Sequence, residues 1–342
     1  MTDPNKPARH ENLPTPGPGV GGVEATTAGI DLAIESSLPA PEQKSYSQGQ
    51  LVLRRFLRHK GAMISLFILL FITVVAYTSI GIGPIPGWWG KDFSKAGAAV
   101  NGGAPTLTLW PFSLGEHPFG QENTGKDYFA MTMRGTQISL MIAFTVGIGS
   151  TLIGTIVGGL AGYFRGWVES ILMRLTDLVI VIPLLVLAAV LGQIASSKGV
   201  WLLALVLAAV TWTGLARLVR GEVLSLRERE FVSSALAIGT SSRRIIFKHI
   251  LPNTIGVIIV SATLSIASAI LLETSLSFLG FGVKAPDVSL GTLISTYQGA
   301  FSTRPWLFWW PGMLILAIAL CVNFIGDGLR DAFDPRQNRS KD

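Results

Sequence analysis

The stretch GQENTGKDY, Gly120 to Tyr128, carries most of what a phosphate-binding loop requires. Gly120, four residues, Gly125 and Lys126 follow G-x-x-x-x-G-K-[ST], in which backbone N–H groups and a lysine gather phosphate oxygens. The last position fails. Asp127 puts a carboxylate where a hydroxyl should meet Mg2+. No strand-like run leads into the stretch, so the strand–loop–helix setting of a nucleotide site is missing as well. Other reactive groups are sparse. His10, His59, His117 and His249 form no H-E-x-x-H pair. Cys321 is the single cysteine, so neither an intramolecular disulfide nor a cysteine-based zinc cluster can form. It lies in an apolar run and reads as a small buried residue. An intramembrane enzyme would need a nucleophile or metal cluster that this pattern lacks. The chain is therefore read as a non-enzyme, with no cofactor or metal of its own.

The elements that must position these residues are apolar. Of 342 residues, 49% are hydrophobic and 14% charged, against about 25% charged in soluble domains. Mean hydropathy is +0.50. This is the composition of a polytopic membrane protein, and the fold class expected is all-α. The net charge of +6 could suggest nucleic acid, but the basic residues flank apolar segments, so topology explains them and nucleic acid is excluded as a partner. Residues 1–50 contain seven prolines and no long apolar run, and are expected to form a disordered tail without a signal peptide's core.

Six apolar segments follow, near 62–82, 137–162, 171–194, 200–217, 254–272 and 307–326. Each is long enough, at ~1.5 Å per residue, to cross a hydrocarbon core of ~30 Å with its flanks. With the N-terminus inside, 20 of the 27 lysines and arginines fall in the cytoplasmic parts, including Arg54 to Lys60 just before the first span. The positive-inside rule then places both termini in the cytoplasm of a multi-pass membrane protein. The expected layout is a tail (1–50), a first span with a basic flank (51–82), an extracytoplasmic segment (83–135), a five-helix core (136–327) and a C-terminal tail (328–342). A cytoplasmic loop (220–253) lies within the core.

Ser150, Gly154, Gly158 and Gly162 make a four-residue stripe of small side chains, suited to close helix packing. Asp177 lies near a cytoplasmic entrance, where Arg174 is the expected partner. Glu273 and Arg304, at the outer ends of spans five and six, read as interfacial charges. The aromatics of GPIPGWWG and TLWPF read as a membrane-interface belt or a partner contact. No substrate-lining residue is assigned.

The most informative stretch is SLREREFVSSALAIGTSSRRIIFKHILPN, Ser225 to Asn253. Ser225 and Glu228 form an S-x-x-E capping box, which predicts a helix start. Phe231, Ala235 and Ile238 share a face at helical spacing, and Gly239 ends the helix. Thr240, Ser241 or Ser242 can cap a second helix carrying Ile245, Ile246 and Phe247, and Pro252 marks entry into span five. Two short helices meeting at a glycine are expected, with an apolar side that needs a covering surface. By spacing alone, that surface is as readily the chain's own bundle as another protein.

This segment resembles the EAA loop of ABC-importer permeases, E-A-A, three residues, G, nine residues, I-x-L-P. The E-A-A positions fall on Ser233, Ser234 and Ala235, the glycine on Gly239, and the close on His249, Ile250, Leu251 and Pro252. Ser233 replaces the acid, so Glu230 or the nearby Arg243 and Arg244 are the remaining sources of ionic contacts. HPFGQENTGKD, LAGYFRGWVESILMRLTDLVIVIP, LETSLSFLGFGVKAPDVSLGTLI and the close NFIGDGLRDAFDPR extend the likeness over roughly residues 50–337. In this order they resemble the C-type permease subunit of dipeptide/oligopeptide ABC importers.

The resemblance implies six transmembrane helices, the last five forming a type I importer permease core, in a bacterial cytoplasmic membrane. It implies a second homologous permease, two cytoplasmic ATPase subunits that bind the ATP and Mg, and an extracytoplasmic peptide-binding protein, with lipid around the spans. Coupling would fall to Glu230, Ser233, Ser234, Ala235, Gly239, Arg243, Arg244, His249, Leu251 and Pro252. Ala235 is expected to keep the docking face small and Gly239 to allow the turn. Importers of nickel chelates, glutathione or other small solutes share these signatures. An ion-driven secondary transporter also suits glycine- and proline-broken spans, but has no need of an ATPase-docking loop.

Overall fold

The computed structural model describes residues 48–334, which belong to one compact unit. The tail expected over residues 1–47 and the end of the chain from 335 lie outside the described residues. The described chain is all-α apart from two short hairpins, Gly81–Ile82 with Ile85–Pro86 and Thr108–Leu109 with Phe112–Ser113.

Helix α1 (Gln48–Arg58) is separated from α2 (Lys60–Ser79) by His59 alone. Residues 48–50 thus belong to a helix rather than to the expected tail. The His59 ring accepts from Ala62 N–H at 3.0 Å, which caps α2 and sets the break. After residues 83–127, α3 runs Tyr128–Phe164, so the second apolar segment enters its helix nine residues before 137. Asp127 is the reason: its side chain accepts from Ala130 N–H at 2.7 Å as the N-cap.

The third and fourth apolar segments are each broken. α4 (Gly166–Val181) and α5 (Leu184–Ser196) meet at 88°, because Ile182 and Pro183 are extended and Pro183 offers no N–H. α6 (Val200–Thr211) and α7 (Thr213–Arg227) meet at 44°. Here the Trp212 indole donates to the Ala209 carbonyl at 2.9 Å. Among the described residues, four helices are individually long and apolar enough to cross a membrane: α2, α3, α9 (Ser242–Phe278) and α11 (Trp306–Phe333). Counting each bent pair as one span gives the expected six. Between α7 and α9 lies α8 (Glu230–Ala237), and between α9 and α11 lies α10 (Leu290–Tyr297).

The core sits where α3 meets α6, α9 and α11, around Ile142, Leu203, Leu207, Ile270, Leu276 and Ile318, all nearly or wholly buried. The small-residue stripe lies between α3 and α7. A Cβ on Gly158 would stand 2.4 Å from the Ala216 carbonyl oxygen. One on Gly162 would stand 2.9 Å from that of Arg220, and one on Gly154 would stand 3.0 Å from that of Trp212. Ser150 is buried one turn along. Backbones this close leave no room for a side chain.

Candidate coupling site

The site begins where α7 leaves the bundle. Ser225 lies in the last turn of α7 and Glu228 is that helix's C-cap, so the predicted capping box does not form. The α7 register simply continues out of the fourth apolar segment. The short helix α8 starts at Glu230 instead, with Arg229 extended before it. Glu230 in the first turn places a negative charge at the positive end of the helix dipole. At the other end Thr240 N–H donates to Ala235 O and Gly239 N–H to Leu236 O, both at 3.0 Å. This is a Schellman close, and it requires the left-handed backbone that Gly239 adopts at φ +78°.

The second predicted short helix is the beginning of α9. Residues 242–245 are α-helical and Ile246–Ile250 form a π turn, after which the helix runs to Phe278. Pro252 explains the turn. It cannot donate to the carbonyl four residues back, and its ring would collide with that carbonyl in a regular helix. The wider turn, closed by Leu251 N–H to Ile246 O, avoids both problems without ending the helix. His249 and Leu251 are half-buried in and after this turn, and Pro252 is exposed.

Side-chain burial separates two faces of α8. Val232 and Ala235, one turn apart, are buried with Ile245 and Ile250 against Leu215, Val219, Val223 and Tyr163. Ala235 therefore packs on the chain's own bundle and is not on the free face, contrary to the role expected for it. The true apolar partner of Ala235 at i−3 is Val232, which the Phe231–Ala235–Ile238 spacing overlooks. Phe231, Leu236 and Ile238 are exposed, Ile238 to 83%. Glu230, Ser233, Ser234 and Gly239 share that exposure. Beside them Ser241, Arg243, Arg244, Phe247 and Lys248 line a basic cavity of about 400 Å3. The outer side of α8 is thus polar, with Phe231 and Ile238 exposed on one flank and Leu236 on the other, and with the exposed cations of α9 following in the chain.

Ion pairs brace the base of the site. Arg165, at the α3–α4 junction, pairs with Glu228, and Arg220 Nε donates to Glu169 at 2.7 Å. Asp177 pairs with Arg217 of α7 at 2.5 Å, not with Arg174. Arg227 lies over the Tyr163 ring at 5.6 Å. These contacts fasten α7, and through it α8, to α3 and α4.

On the opposite end, the loop-like stretch is structural. A Cβ on Gly125 would lie 1.9 Å from Gly97 O, and one on Gly120 would lie 2.6 Å from Gly103 O, so protein backbone fills the space a phosphate would need. Asp127 caps α3 and accepts from Trp89 Nε1 at 3.0 Å, with His117 Nδ1 2.7 Å from its other oxygen. Lys91 Nζ lies 3.0 Å from His117 Nε2. An ammonium only donates, which assigns the His117 proton to Nδ1. Trp89 also meets Phe129 edge-on, while Trp110 and Phe112 remain exposed.

Glu273 overturns its reading as an interfacial charge. It is fully buried, accepting from Ser139 Oγ at 3.0 Å and Ser277 Oγ at 2.7 Å. Ser289, which caps α10, donates to Ser277 at 3.2 Å, and Leu290 N–H donates to Ser139 at 3.2 Å. Three helices meet on one carboxyl group. The serine at i+4, Ser277, was the only local signal of this.

Residues 154–339 match the family described as binding-protein-dependent transport system inner membrane component. Residues 47–86 match the N-terminal transmembrane domain of oligopeptide transport permease C. The oligopeptide transport system permease protein OppC of Mycobacterium tuberculosis is 41% identical over 290 residues, covering 84% of this chain and 95% of that protein. A protein of the same name from Haemophilus influenzae is 36% identical over 83% of this chain and 87% of its own length. A putative peptide permease protein of Brucella ovis is 37% identical over 82% and 89%.

Proposed function

This chain belongs to the family of binding-protein-dependent transport system inner membrane components, and from that premise we propose that its exposed α8 surface receives the motion that drives peptide import. The chain is a multi-pass permease subunit of a peptide ABC importer. Its substrates are dipeptides or oligopeptides, delivered by an extracytoplasmic binding protein. A second, homologous permease completes the path. Two ATPase subunits bind ATP and Mg on the cytoplasmic side, where both termini of this chain also lie.

The observation that carries this reading is that Val232 and Ala235 anchor α8 to the bundle while Phe231 and Ile238, on one flank of the anchored strip, and Leu236, on the other, stay exposed. Exposed apolar side chains on a short anchored helix, with exposed cations following, suit a protein-docking surface. Because the inner face is fixed to α7 and α3, a push on the outer face moves the bundle rather than bending the loop. ATP-driven closure of the ATPases then shifts the permease between its two access states, as far as their affinity for those states differs.

In complexes purified with their partner subunits, Ile238→Glu should assemble weakly and lose at least tenfold of peptide-stimulated ATP hydrolysis and uptake. Gly239→Glu should do likewise, because a side chain at φ +78° costs about 1–2 kcal/mol and opens the Schellman close. Wild-type stimulation and uptake in both variants would refute the docking role.

A further inference from the structure

Glu273 stands where an ion is costly. Its side chain is wholly buried in α9, and its oxygens meet the hydroxyls of Ser139 at 3.0 Å and Ser277 at 2.7 Å. Among the described residues no cation pairs with it. On the elements packed against α9 the charged groups are engaged or remote. Arg134 of α3 holds Asp287 at 2.9 Å, and Lys284 donates to Gln193 of α5 at 3.1 Å. Arg217, Arg220, Glu222 and Arg227 of α7 lie toward the other end of α3, where α7 packs on Gly154 to Gly162. Asp327, Arg330 and Asp331 of α11 lie beside the early turns of α9, where Gly326 meets Thr263 and Phe333 meets Gly256. An ionised carboxylate isolated in an apolar interior takes up a proton rather than remain charged.

The hydroxyls beyond Glu273 can carry that proton. Ser277 Oγ lies 3.2 Å from Ser289 Oγ, which lies 3.5 Å from Oγ1 of the half-buried Thr292. Val283 N–H donates to Ser277 Oγ and Thr292 N–H to Ser289 Oγ, both at 3.2 Å. Each serine therefore keeps one proton and one lone pair for its hydroxyl neighbours. The run has two directions. For the carboxylate, Ser289 donates to Ser277 and Ser277 to Glu273 Oε1. For the acid, Glu273 Oε1–H donates to Ser277, Ser277 to Ser289 and Ser289 to Thr292. One proton entering at Thr292 converts the first into the second, because each oxygen takes one proton and passes on its own. We propose that Glu273 is a proton-binding site, filled through Thr292, Ser289 and Ser277 and occupied in this packing. The bound proton lets α10 be tied to α9 with no charge buried between them. The proposal does not depend on ATPase docking.

Infrared spectroscopy of the full-length chain in its complex, at about pH 7.5 and so far above the ordinary glutamate value of about 4.3, tests this. The wild type should show the carbonyl band of a neutral carboxylic acid, shifted by carbon-13 glutamate and absent from Glu273→Gln. In heavy water the band should shift as deuterium replaces the proton. Ser289→Ala and Ser277→Ala should keep the band and slow that exchange at least tenfold. Ser139→Ala, off the run, should exchange at the wild-type rate. A wild type without the label-sensitive band, or a band that persists in Glu273→Gln, overturns the site. Exchange at the wild-type rate or faster in both run variants overturns the route, as does equal slowing in Ser139→Ala.

Discussion

Glu273 shows what one residue can hold. Its carboxyl group has no exposed surface and is met by Ser139 from α3 and Ser277 from α9, with Ser289 of α10 one bond further. Glu273→Ala would leave these hydroxyls without their acceptor, at a cost of about 1–3 kcal/mol per unsatisfied group. Glu273→Gln keeps an acceptor oxygen and should lose less. Thermal unfolding of the purified chain should rank wild type above glutamine and glutamine above alanine. Equal melting of all three would contradict the network. Beyond Ser277 at i+4 this was not legible beforehand, since Glu273 lies 134 residues from Ser139 and only the fold unites them. Gly239 was legible because its role is local: a helix end needs a left-handed residue, and glycine adopts that backbone cheaply. Ala235 was half-legible. Its small size was noticed, but its direction depends on what lies beneath α8. Ala235→Glu would bury a charge beside Val232 and Ile245, so it should lower the yield of folded protein as well as transport.

At the scale of the element, apolar length was readable and continuity was not. Pro183 breaks its segment by 88°, whereas Pro252 is absorbed by a π turn and its helix goes on. The same residue type gives two outcomes because Pro183 follows an extended residue and Pro252 follows a wound one. Helix contact can be tested on α3 with two adjacent glycines. A Cβ on Gly158 would press on the Ala216 carbonyl, while one on Gly159 meets nothing within 4 Å. Gly158→Ala should destabilise the chain by about 1–3 kcal/mol, as overpacking does. Gly159→Ala should be neutral or slightly stabilising. A loss of melting temperature shared equally by the two variants would contradict the close packing of α3 on α7.

At the scale of the whole molecule, the two ends of α3 carry different tasks. At one end His117, Asp127 and Trp89 fix the entry to α3, and at the other α8 offers a patch anchored to the same helix through Tyr163 and α7. The stretch Gly120 to Tyr128, which began as a near-miss for nucleotide binding, is on this account far from any ATP. Labelling with a membrane-impermeant thiol reagent should therefore modify Asn123→Cys in intact cells and Ser241→Cys only after lysis, in a Cys321→Ser background. Reversal of the two would invert the topology. The central claim, that α8 is where the ATPases press, is tested most directly by a photo-crosslinker placed at Ile238 in the assembled importer. The account predicts a crosslink to an ATPase subunit whose yield changes between nucleotide-free and ATP-bound states. Crosslinks confined to lipid or to this chain's own bundle, in both states, would contradict it.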